Sequence, residues 1–425
     1  MARNTLSEEW LQYHVSRRSF MAGGLALFAT RPVPLIGQPR QTPQFAGPPF
    51  SLGVASGDPS PDGAVLWTRL APVPLEGGGM PDENVEVAWT VARDERMTQV
   101  VQRGTVVATP ALGHAVHVEV GGLEPDRWYW YRFRSGGEAS RVGRTRTLPA
   151  PGAPVNQLRM AFVSCQHYET GFFTAYRHML EDDLDLVFHL GDYIYEYEGR
   201  DGRARKHTGD EIELLRDYRN RYALYKLDPD LQAAHARFPF VVTWDDHEVD
   251  NNYAADLSEE EGFPAELFLR RRAEAYQAYF EHMPLRRSSL PSGPRMQLYR
   301  QFAYGDLASF FVLDTRQYRT DQPCGDRRLA ETMPCAEDAD TEGLDAKIAC
   351  RAIVGRCLHQ RECKPRKDGR PGCGQGNLKE DPARRGAKAA RGLHGAERQV
   401  RKGRARRQIG IGKERAGHDK REARN

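Results

Sequence analysis

Aromatic side chains are missing from the last quarter of this 425-residue chain, because all 40 Phe, Trp and Tyr lie at or before Tyr318. A segment that lacks aromatics and is rich in Arg, Lys and Gly cannot bury enough apolar surface to offset the entropy of its chain. We therefore expect residues 341–425 to be a basic tail that is unfolded, or the product of a frameshifted reading frame. The folded part of the chain should end near residue 340.

Long apolar runs are also absent, and so are closely paired cysteines. No run of about 18 or more apolar residues occurs, which excludes an ordinary transmembrane helix. The seven cysteines include no Cys-x-x-Cys pair, so we interpret the irregular spacing of Cys357, Cys363 and Cys373 as chance and not as a zinc site. Cys324 and Cys335 are candidates for a disulfide if the protein is exported.

Charge is divided unevenly along the chain, although the net charge is only +3. Residues 351–425 hold 23 Lys and Arg against 8 Asp and Glu, whereas the rest of the chain holds 38 against 50. Clustered cations attract phosphates, so a non-enzymatic polyanion-binding protein is one interpretation of the sequence. The basic segment has no aromatics on which bases could stack, so we expect no specific nucleic-acid partner.

The N-terminus has the order of residues that is typical of an export signal. Arg17 and Arg18 precede a modestly apolar run at 21–29. This pattern predicts a twin-arginine signal over residues 1–31, followed by a linker over 32–48. We therefore expect the twin-arginine export machinery as a partner and a secreted or periplasmic location. A chance Arg-Arg pair before a small helix is the alternative.

Two differently patterned regions follow the linker. Residues 49–149 alternate apolar and polar side chains between Gly and Pro turns, which predicts a small all-β domain of the immunoglobulin or fibronectin type. The strands expected there span 85–91, 100–107, 114–120 and 128–134. From 150 to about 340, strands alternate with helices, which predicts a layered α/β domain. The helices expected there span 172–184, 211–225 and 264–282.

Three apolar strands of the second region each end at polar side chains that carry chemistry. The strands are the runs 160–163, 186–190 and 240–243, which have the composition of buried parallel strands. The side chains that follow them are Cys165, Asp192, Tyr195, Asp246 and His247. Ligands of open α/β sheets bind beyond the carboxyl ends of the strands. Carboxylates with one thiolate and one phenolate suit a mixed metal site that includes a hard or ferric ion.

Each of these residues alone has an ordinary structural interpretation. An Asp after Gly is usually a turn residue, a Tyr can be part of the core, and a buried Cys can be inert. Together, at three successive strand ends, they favour a metal site. Asp192 can bridge two cations, Tyr195 can reach the same ion, and His247 can protonate a leaving oxygen.

Segments 191–196 (Gly-Asp-Tyr-Ile-Tyr-Glu) and 243–248 (Thr-Trp-Asp-Asp-His-Glu) resemble the signature of a known family. It is the PhoD-like alkaline phosphatase/phosphodiesterase family, a branch of the calcineurin-like metallophosphatases. The resemblance covers roughly residues 16–340. It includes segments 50–58 and 65–70, which are similar to the N-terminal β domain of that family.

This resemblance implies an exported, metal-dependent phosphoesterase that uses Fe3+ and Ca2+. Its substrates would be phosphomonoesters, phosphodiesters or both, and we expect a monomer. By motif position, Cys165, Asp192 and Tyr195 would bind the ferric ion. Asp192 and Asp246 would bind calcium, and His247 would be the catalytic residue at the phosphoryl group.

Weaker candidates follow from the same resemblance. Asp250 and Asn220 would bind a further calcium or the substrate, and Arg221 would contact phosphate. Segment 313–319 is similar to a later strand of the family.

One element of the family pattern is missing. The family has a Gly-Asp-x-His motif on a late strand, whereas the Gly-Asp found after residue 306 is Gly325-Asp326, which two arginines follow. We therefore expect the metallophosphatase domain, residues 150–340, to be truncated and its activity to be weak or absent. A frameshifted or chimeric reading frame and a natural basic tail are the two explanations. The alternative function is that of a non-enzymatic or catalytically dead homologue that binds polyanions.

Overall fold

The computed structural model describes residues 43–260 and 262–321. The predicted export signal, most of the predicted linker, and the basic tail lie outside the described residues, and so do Cys324 and Cys335. Within the described part, no helix is both long and apolar enough to cross a bilayer.

The strands of the described part are numbered here in chain order. They are β1 (Val54–Ser60), β2 (Gly63–Arg69), β3 (Val85–Ala92), β4 (Val100–Ala108), β5 (Ala115–Val120), β6 (Trp128–Ser135), β7 (Glu138–Ala139), β8 (Gly143–Arg146), β9 (Met160–Val163), β10 (Leu186–His189), β11 (Pro239–Val242), β12 (Arg300–Tyr304) and β13 (Ala308–Val312). The α-helices are α1 (Thr174–Met179), α2 (Leu215–Lys226), α3 (Pro229–Arg237) and α4 (Ala265–His282). Single 3-10 turns span Pro110–Leu112, Tyr168–Thr170 and Arg287–Ser289.

A six-stranded sheet of order β5-β2-β1-β11-β10-β9 runs through the described part. Strands β9, β10 and β11 are parallel neighbours, with Val187 of β10 opposite Ala161 on one side and Phe240 on the other. This arrangement confirms the prediction that the three apolar runs are parallel strands. Their carboxyl ends, and the polar residues after them, therefore meet at one edge of the sheet.

The N-terminal β region does not form a separate two-sheet sandwich from its own strands alone. Strand β1 pairs in parallel with β11, so β1, β2 and β5 belong to the same sheet as the α/β strands. A second sheet, β4-β3-β6-β7 with β8 on β6, lies against them. Val54 and Leu66 share one buried cluster with Val87 and Tyr131 of that second sheet. The region is a sandwich, as expected, but the α/β sheet supplies one of its two layers.

Helices cover one face of the α/β strands and a hairpin covers the other. Val187 and Val242 pack with the helical residue Tyr222 in the largest buried cluster, whereas Phe188 and Val241 pack on the opposite face with the β12–β13 hairpin. The alternation within β10 follows from the two-residue period of a strand. The strands of the candidate site are thus held from both sides.

The helices differ from the predictions in three places. Helix α2 begins at Leu215, four residues after the predicted start at 211. Helix α1 ends at Met179 although apolar spacing continues to Leu184, because Glu181 and Asp182 are unfavourable beside the negative end of a helix dipole. Helix α3 was not predicted. Its start is nevertheless encoded, since the Asp228 carboxylate caps two backbone N–H groups and a proline occupies the first helical position.

Candidate metal centre

The turns after β9 and β10 are joined through their backbones. The N–H of Cys165 donates to the Gly191 carbonyl at 3.1 Å, and the N–H of Gln166 donates to the Asp192 carbonyl at 3.1 Å. These bonds fix Cys165 beside the turn that carries Asp192 and Tyr195. The thiol is brought to the centre by backbone pairing and not by the packing of its own side chain.

Two of the candidate ligands have a strained backbone. Cys165 and Asp192 have φ values of 55° and 53°, in the left-handed region that non-glycine residues rarely adopt. Gly191 has φ 110°, and a Cβ there would lie 2.2 Å from the Asp245 nitrogen. Only glycine therefore allows the turns after β10 and β11 to approach this closely. Strain of this kind is concentrated at functional sites.

Asp192, Asp246 and His247 form the centre of the site. Each offers one ligand atom, and these atoms all lie within 4.8 Å of one another. Asp192 Oδ2 accepts a hydrogen bond from the Tyr195 hydroxyl at 3.0 Å. Asp192 Oδ1 is buried and has no hydrogen-bond partner among the described residues. Leaving a buried carboxylate oxygen unsatisfied is costly, so this oxygen fits a position where a cation binds.

The two carboxyl groups of the centre differ in acidity. Burial raises the pKa of Asp192 to about 6; Asp246 and Asp245 add to the rise, and His247 opposes it. Burial also acts on Asp246, but Arg316 and His247 outweigh it, and the pKa of Asp246 falls below its usual value. Asp246 is thus ionised, and a cation beside Asp192 would ionise that group as well.

Cys165 and Tyr195 both carry their protons in the absence of a metal. Desolvation and the nearby Asp192 carboxylate raise the pKa of the Cys165 thiol to about 11. Burial and Asp192 raise the pKa of Tyr195 far above its ordinary value. The Cys165 residue is exposed whereas Tyr195 is buried. Either side chain would have to release a proton to serve as a ligand.

Glu196 holds His247 in place, a role that was not assigned from the sequence. One carboxylate oxygen of Glu196 lies 2.8 Å from His247 Nδ1, and the other accepts the N–H of Asn251 at 3.0 Å. Burial alone would lower the pKa of His247, but Glu196, Asp246 and Asp192 raise it to about 10. The imidazole is therefore a cation at neutral pH, with one proton on Nδ1 facing Glu196 and the other on Nε2.

Glu248 joins the turns that follow β10 and β11. Its two oxygens accept the N–H groups of Tyr193 at 2.6 Å and Asp245 at 2.9 Å, and its side chain is 1% exposed. The two glutamates end the two signature motifs, at positions 196 and 248. That shared position was a signal in the sequence that these carboxylates act together with the ligands.

Arg316 brings the late segment 313–319 to the centre. Its guanidinium donates to Asp245 Oδ1 at 2.6 Å and to Asp246 Oδ1 at 3.1 Å. Asp314 accepts the indole N–H of Trp244 at 2.9 Å, which fixes the same segment against the turn after β11. Arg316 thus orients Asp246 through a direct hydrogen bond. Only the three-dimensional fold shows this pairing, because 70 residues separate the partners.

Three weaker candidates have other partners. Asn220 Oδ1 accepts the N–H of Gly77 at 2.8 Å. Arg221 is 1% exposed and donates to the carbonyls of Tyr195 and Tyr197. A substrate cannot reach a guanidinium that is buried and committed to backbone carbonyls. We therefore correct the expectation for Arg221, whereas the role of Asn220 stays a prediction.

Asp250 is also turned away from the centre. Its Oδ1 accepts from Arg271 Nη1 at 3.2 Å and its Oδ2 from the Ser258 hydroxyl at 2.6 Å. Both oxygens are thus used by the loop around residue 258 and by helix α4. Asp250 stabilises that loop, and we do not retain it as a calcium ligand.

Two family models match this chain. The model described as PhoD-like phosphatase matches residues 160–356, and the model of the PhoD-like phosphatase N-terminal domain matches residues 37–149. This chain belongs to the PhoD-like phosphatase family. The candidate centre, from Cys165 to Arg316, lies inside the first match.

Two relatives in the PhoD-like family are similar to this chain in sequence. Alkaline phosphatase D of Bacillus subtilis (strain 168) is 61% identical over 289 residues, which are 67% of this chain and 49% of that protein. A solved structure of PhoD superposes with a TM-score of 0.65 at 62% sequence identity, covering 66% of this chain and 54% of the other. The chain thus spans about half the length of these relatives. The matches lend no support to the polyanion-binding alternative.

Proposed function

We propose that this protein is a metal-dependent phosphoesterase that hydrolyses phosphomonoesters, phosphodiesters or both. One observation carries the proposal. Ligand atoms of Asp192, Asp246 and His247 lie within 4.8 Å of one another at adjacent strand ends, where Asp192 Oδ1 is buried without a partner. A cation would satisfy that oxygen and offset the repulsion between the carboxylates. Membership in the PhoD-like family supports the same reaction class.

The donor set fits the cations that the family resemblance implies, Fe3+ and Ca2+. Cys165, Asp192 and Tyr195 would hold the ferric ion, because thiolate and phenolate suit a strongly Lewis-acidic cation. Asp246, together with Asp192, would hold calcium, which prefers carboxylate oxygens. When bound, such cations lower the pKa of water and stabilise negative charge on phosphoryl oxygens.

Two of the ligands release protons when the site is filled. Tyr195 donates its hydroxyl hydrogen to Asp192 Oδ2, so loss of that proton would free the oxygen for a cation. Cys165, whose pKa desolvation and Asp192 raise to about 11, would likewise become a thiolate only in the presence of a cation. Loading is therefore coupled to proton release and favoured by alkaline pH.

His247 supplies the proton for the leaving group in this proposal. Glu196 accepts the Nδ1 hydrogen at 2.8 Å and fixes the orientation of the ring. Nε2 is then the atom that can donate to an ester oxygen, as expected of a general acid. Arg316 keeps Asp246 oriented beside the histidine.

We extend the proposal to the export and the location of the enzyme. The Arg17–Arg18 signal supports export through the twin-arginine machinery. A secreted or periplasmic monomer would then act on phosphate esters outside the cytoplasm. The sandwich at residues 49–149, which we assign to the immunoglobulin or fibronectin type, would support the α/β strands. Specific nucleic-acid binding is not part of the proposal.

Hydrolysis by the full chain tests this function. The substrates are 4-nitrophenyl phosphate and bis(4-nitrophenyl) phosphate, assayed with added Ca2+ and Fe3+, after chelation, and after cations are restored. We expect release of nitrophenol that chelation abolishes and restored cations recover. We expect low turnover, since the late Gly-Asp-x-His motif is absent from the sequence. No hydrolysis with any added cation, or hydrolysis that chelation leaves unchanged, would contradict the proposal.

A further inference from the structure

Gln166 lies directly after Cys165 and bonds the turn that carries Asp192. The residue is buried, with 8% of its surface exposed. Its backbone N–H donates to the Asp192 carbonyl at 3.1 Å, and its side-chain Nε2 donates to the Tyr193 carbonyl at 2.8 Å. One residue of the turn after β9 therefore holds two consecutive peptides of the turn after β10.

The partners of the Gln166 amide fix its orientation. A carbonyl oxygen can only accept a hydrogen bond, so the amide nitrogen must face Tyr193. The Oε1 atom then accepts the hydroxyl of Tyr176, a residue of helix α1, at 2.5 Å. Burial raises the pKa of Tyr176 far above its ordinary value, so this hydroxyl keeps its proton and remains a donor. Helix α1 thus holds the amide in a single orientation.

The two peptides of the turn are held in different ways. The peptide that joins Asp192 to Tyr193 is bonded at both ends, because its carbonyl accepts from the Gln166 backbone and its N–H donates to Glu248 Oε1 at 2.6 Å. The next peptide, which joins Tyr193 to Ile194, has the Gln166 side chain as the donor to its carbonyl. Loss of the side-chain amide would therefore free the second peptide and leave both bonds of the first in place.

The freed peptide lies between the two candidate ligands of this turn. Asp192 has the left-handed φ of 53°, and a strained conformation of this kind persists only where the surrounding structure holds it. Tyr195 follows the freed peptide and donates its hydroxyl hydrogen to Asp192 Oδ2 at 3.0 Å. Rotation of the peptide would therefore move the Tyr195 hydroxyl relative to Asp192 and let the backbone of Asp192 relax.

We propose that Gln166 is a positioning residue of the metal centre, and that its side-chain amide holds Asp192 and Tyr195 in their positions as ligands. The inference rests on the proposed phosphoesterase function and adds to it a residue that need not touch the cation or the substrate. Groups that orient metal ligands from outside typically change metal affinity or activity by 10–100-fold, in order of magnitude. We expect an effect of that size from the loss of the amide.

Calcium calorimetry on the full chain tests the role with two matched variants. Gln166→Leu removes the amide at the centre. Gln232→Leu is the control, because it removes an amide that donates to the backbone carbonyls of Ser51 at 2.9 Å and Lys226 at 2.7 Å. We expect calcium to bind about 10–100-fold more weakly to Gln166→Leu and with wild-type affinity to Gln232→Leu. Wild-type affinity in Gln166→Leu, or an equal loss in both variants, would overturn the inference.

Gln166→Glu tests whether the hydrogen-bond donor is what matters. A glutamic acid side chain has the size of glutamine but can donate to the Tyr193 carbonyl only while it is protonated. The calcium affinity of this variant, divided by that of the wild type at the same pH, should therefore fall about ten-fold between pH 5.5 and pH 9. A ratio that does not change with pH would show that the donor is not required, and would overturn the inference.

Hydrogen exchange of the metal-free chain separates failure of this inference from failure of the proposed function. Exchange is followed by mass spectrometry of peptides that cover residues 191–196. We expect these amides to exchange about ten-fold faster in Gln166→Leu than in the wild type and in Gln232→Leu. That result supports the positioning role even if the wild type hydrolyses neither ester, which would contradict the proposed function alone. Unchanged exchange in Gln166→Leu would overturn the positioning role whatever the hydrolysis assay shows.

Discussion

Glu196 is the residue that links His247 to the rest of the centre. Its carboxylate accepts the Nδ1 hydrogen of His247 and the backbone N–H of Asn251, and it contacts neither Asp192 nor Asp246 through a hydrogen bond. Its effect on hydrolysis should therefore come through the orientation of the imidazole and leave cation binding intact. Carboxylates that orient a functional histidine are typically worth 10–100-fold in activity, in order of magnitude.

We predict that Glu196→Gln lowers kcat for bis(4-nitrophenyl) phosphate by about 10–100-fold. The metal content per chain should stay at the wild-type value. Elemental analysis and initial rates on the same preparation check both statements. Glu181→Gln, on the surface beyond helix α1, is the control. An unchanged kcat, or metal loss in proportion to the activity loss, would contradict the assigned role.

Lys226 lies in the core between two aromatic rings. Its ammonium is 4.4 Å from the Trp67 ring centroid and 5.2 Å from that of Tyr193. Burial lowers its pKa from 10.5 to about 7. Between these two values the unfolded chain binds more protons than the folded one. The stability contribution of this lysine is thus fully present above pH 10.5 and is lost as the pH falls towards 7.

The free energy of unfolding should accordingly rise with pH between 7.5 and 9.5. Lys226 contributes at most about 1.4 kcal/mol per pH unit to this rise. Urea denaturation of the wild type and of Lys226→Met at both pH values measures the contribution, because methionine fills a similar volume without titrating. Identical pH dependence in the two proteins would show that Lys226 is already charged in the folded state.

The turn between β10 and the Asp192 segment is the element on which the centre depends. Gly191 lies where a Cβ would meet the Asp245 nitrogen at 2.2 Å, and its φ of 110° is unfavourable for other residues. Gly191→Ala must therefore push the turns after β10 and β11 apart. The distance between Asp192 and Asp246 would grow with that movement.

We predict that Gly191→Ala lowers the free energy of unfolding by about 1–3 kcal/mol and weakens calcium binding at least ten-fold. Gly137→Ala is the matched control, since it shares the positive φ of 86° but its Cβ would meet nothing within 4 Å. Calcium titration calorimetry and urea denaturation measure the two effects. Wild-type calcium affinity in Gly191→Ala would show that the close approach of the two turns is not required.

The elements near the centre were the most predictable part of the sequence. The runs at β10 and β11 are apolar because both faces of the sheet are covered there, and that burial is visible in composition alone. The run at β9 has the same composition but forms the edge strand, where Phe162 is 46% exposed. Helix α4 keeps apolar residues in phase over 18 residues and is found within one residue of its predicted start. Helix α3 is short and its apolar positions are few, so only the Asp228 cap and the proline marked it.

The site residues that could be predicted are those that follow a predicted strand in the sequence. Cys165, Asp192 and Asp246 follow their strands directly, so strand prediction placed them together. The pairing of Arg316 with Asp246 spans 70 residues and depends on how the β12–β13 hairpin folds back over the sheet. Local pattern does not contain that information. The same holds for Arg221, whose charge resembles a phosphate contact until its burial is known.

At the scale of the whole molecule, the N-terminal β region and the α/β region share a sheet and an interface. Strand β1 pairs with β11. The Trp67 indole donates to the Glu281 carbonyl at 3.0 Å, and Arg69 lies 2.9 Å from His282 Nε2, both partners being at the end of helix α4. These contacts are buried, so neither region can lose its structure without exposing the other. The sequence marked a boundary near residue 150 but gave no sign of the shared sheet.

The described regions should therefore unfold in one transition. Far-ultraviolet circular dichroism and tryptophan fluorescence should give the same urea midpoint. Trp67→Phe leaves the buried Glu281 carbonyl without its donor and should lower the free energy of unfolding by about 1–3 kcal/mol, moving both signals equally. Two separate midpoints, or a shift confined to one signal, would show that the regions are independent.

The most direct measurement is metal content together with hydrolysis in the wild type and in Asp192→Asn. The substitution keeps the shape of the side chain but removes the charge of the carboxylate whose buried Oδ1 faces no hydrogen-bond partner among the described residues. We predict that the wild type binds cations and hydrolyses bis(4-nitrophenyl) phosphate, and that Asp192→Asn loses both. Hydrolysis that persists in Asp192→Asn, with the metal content unchanged, would contradict the assignment of this cluster as the catalytic metal centre.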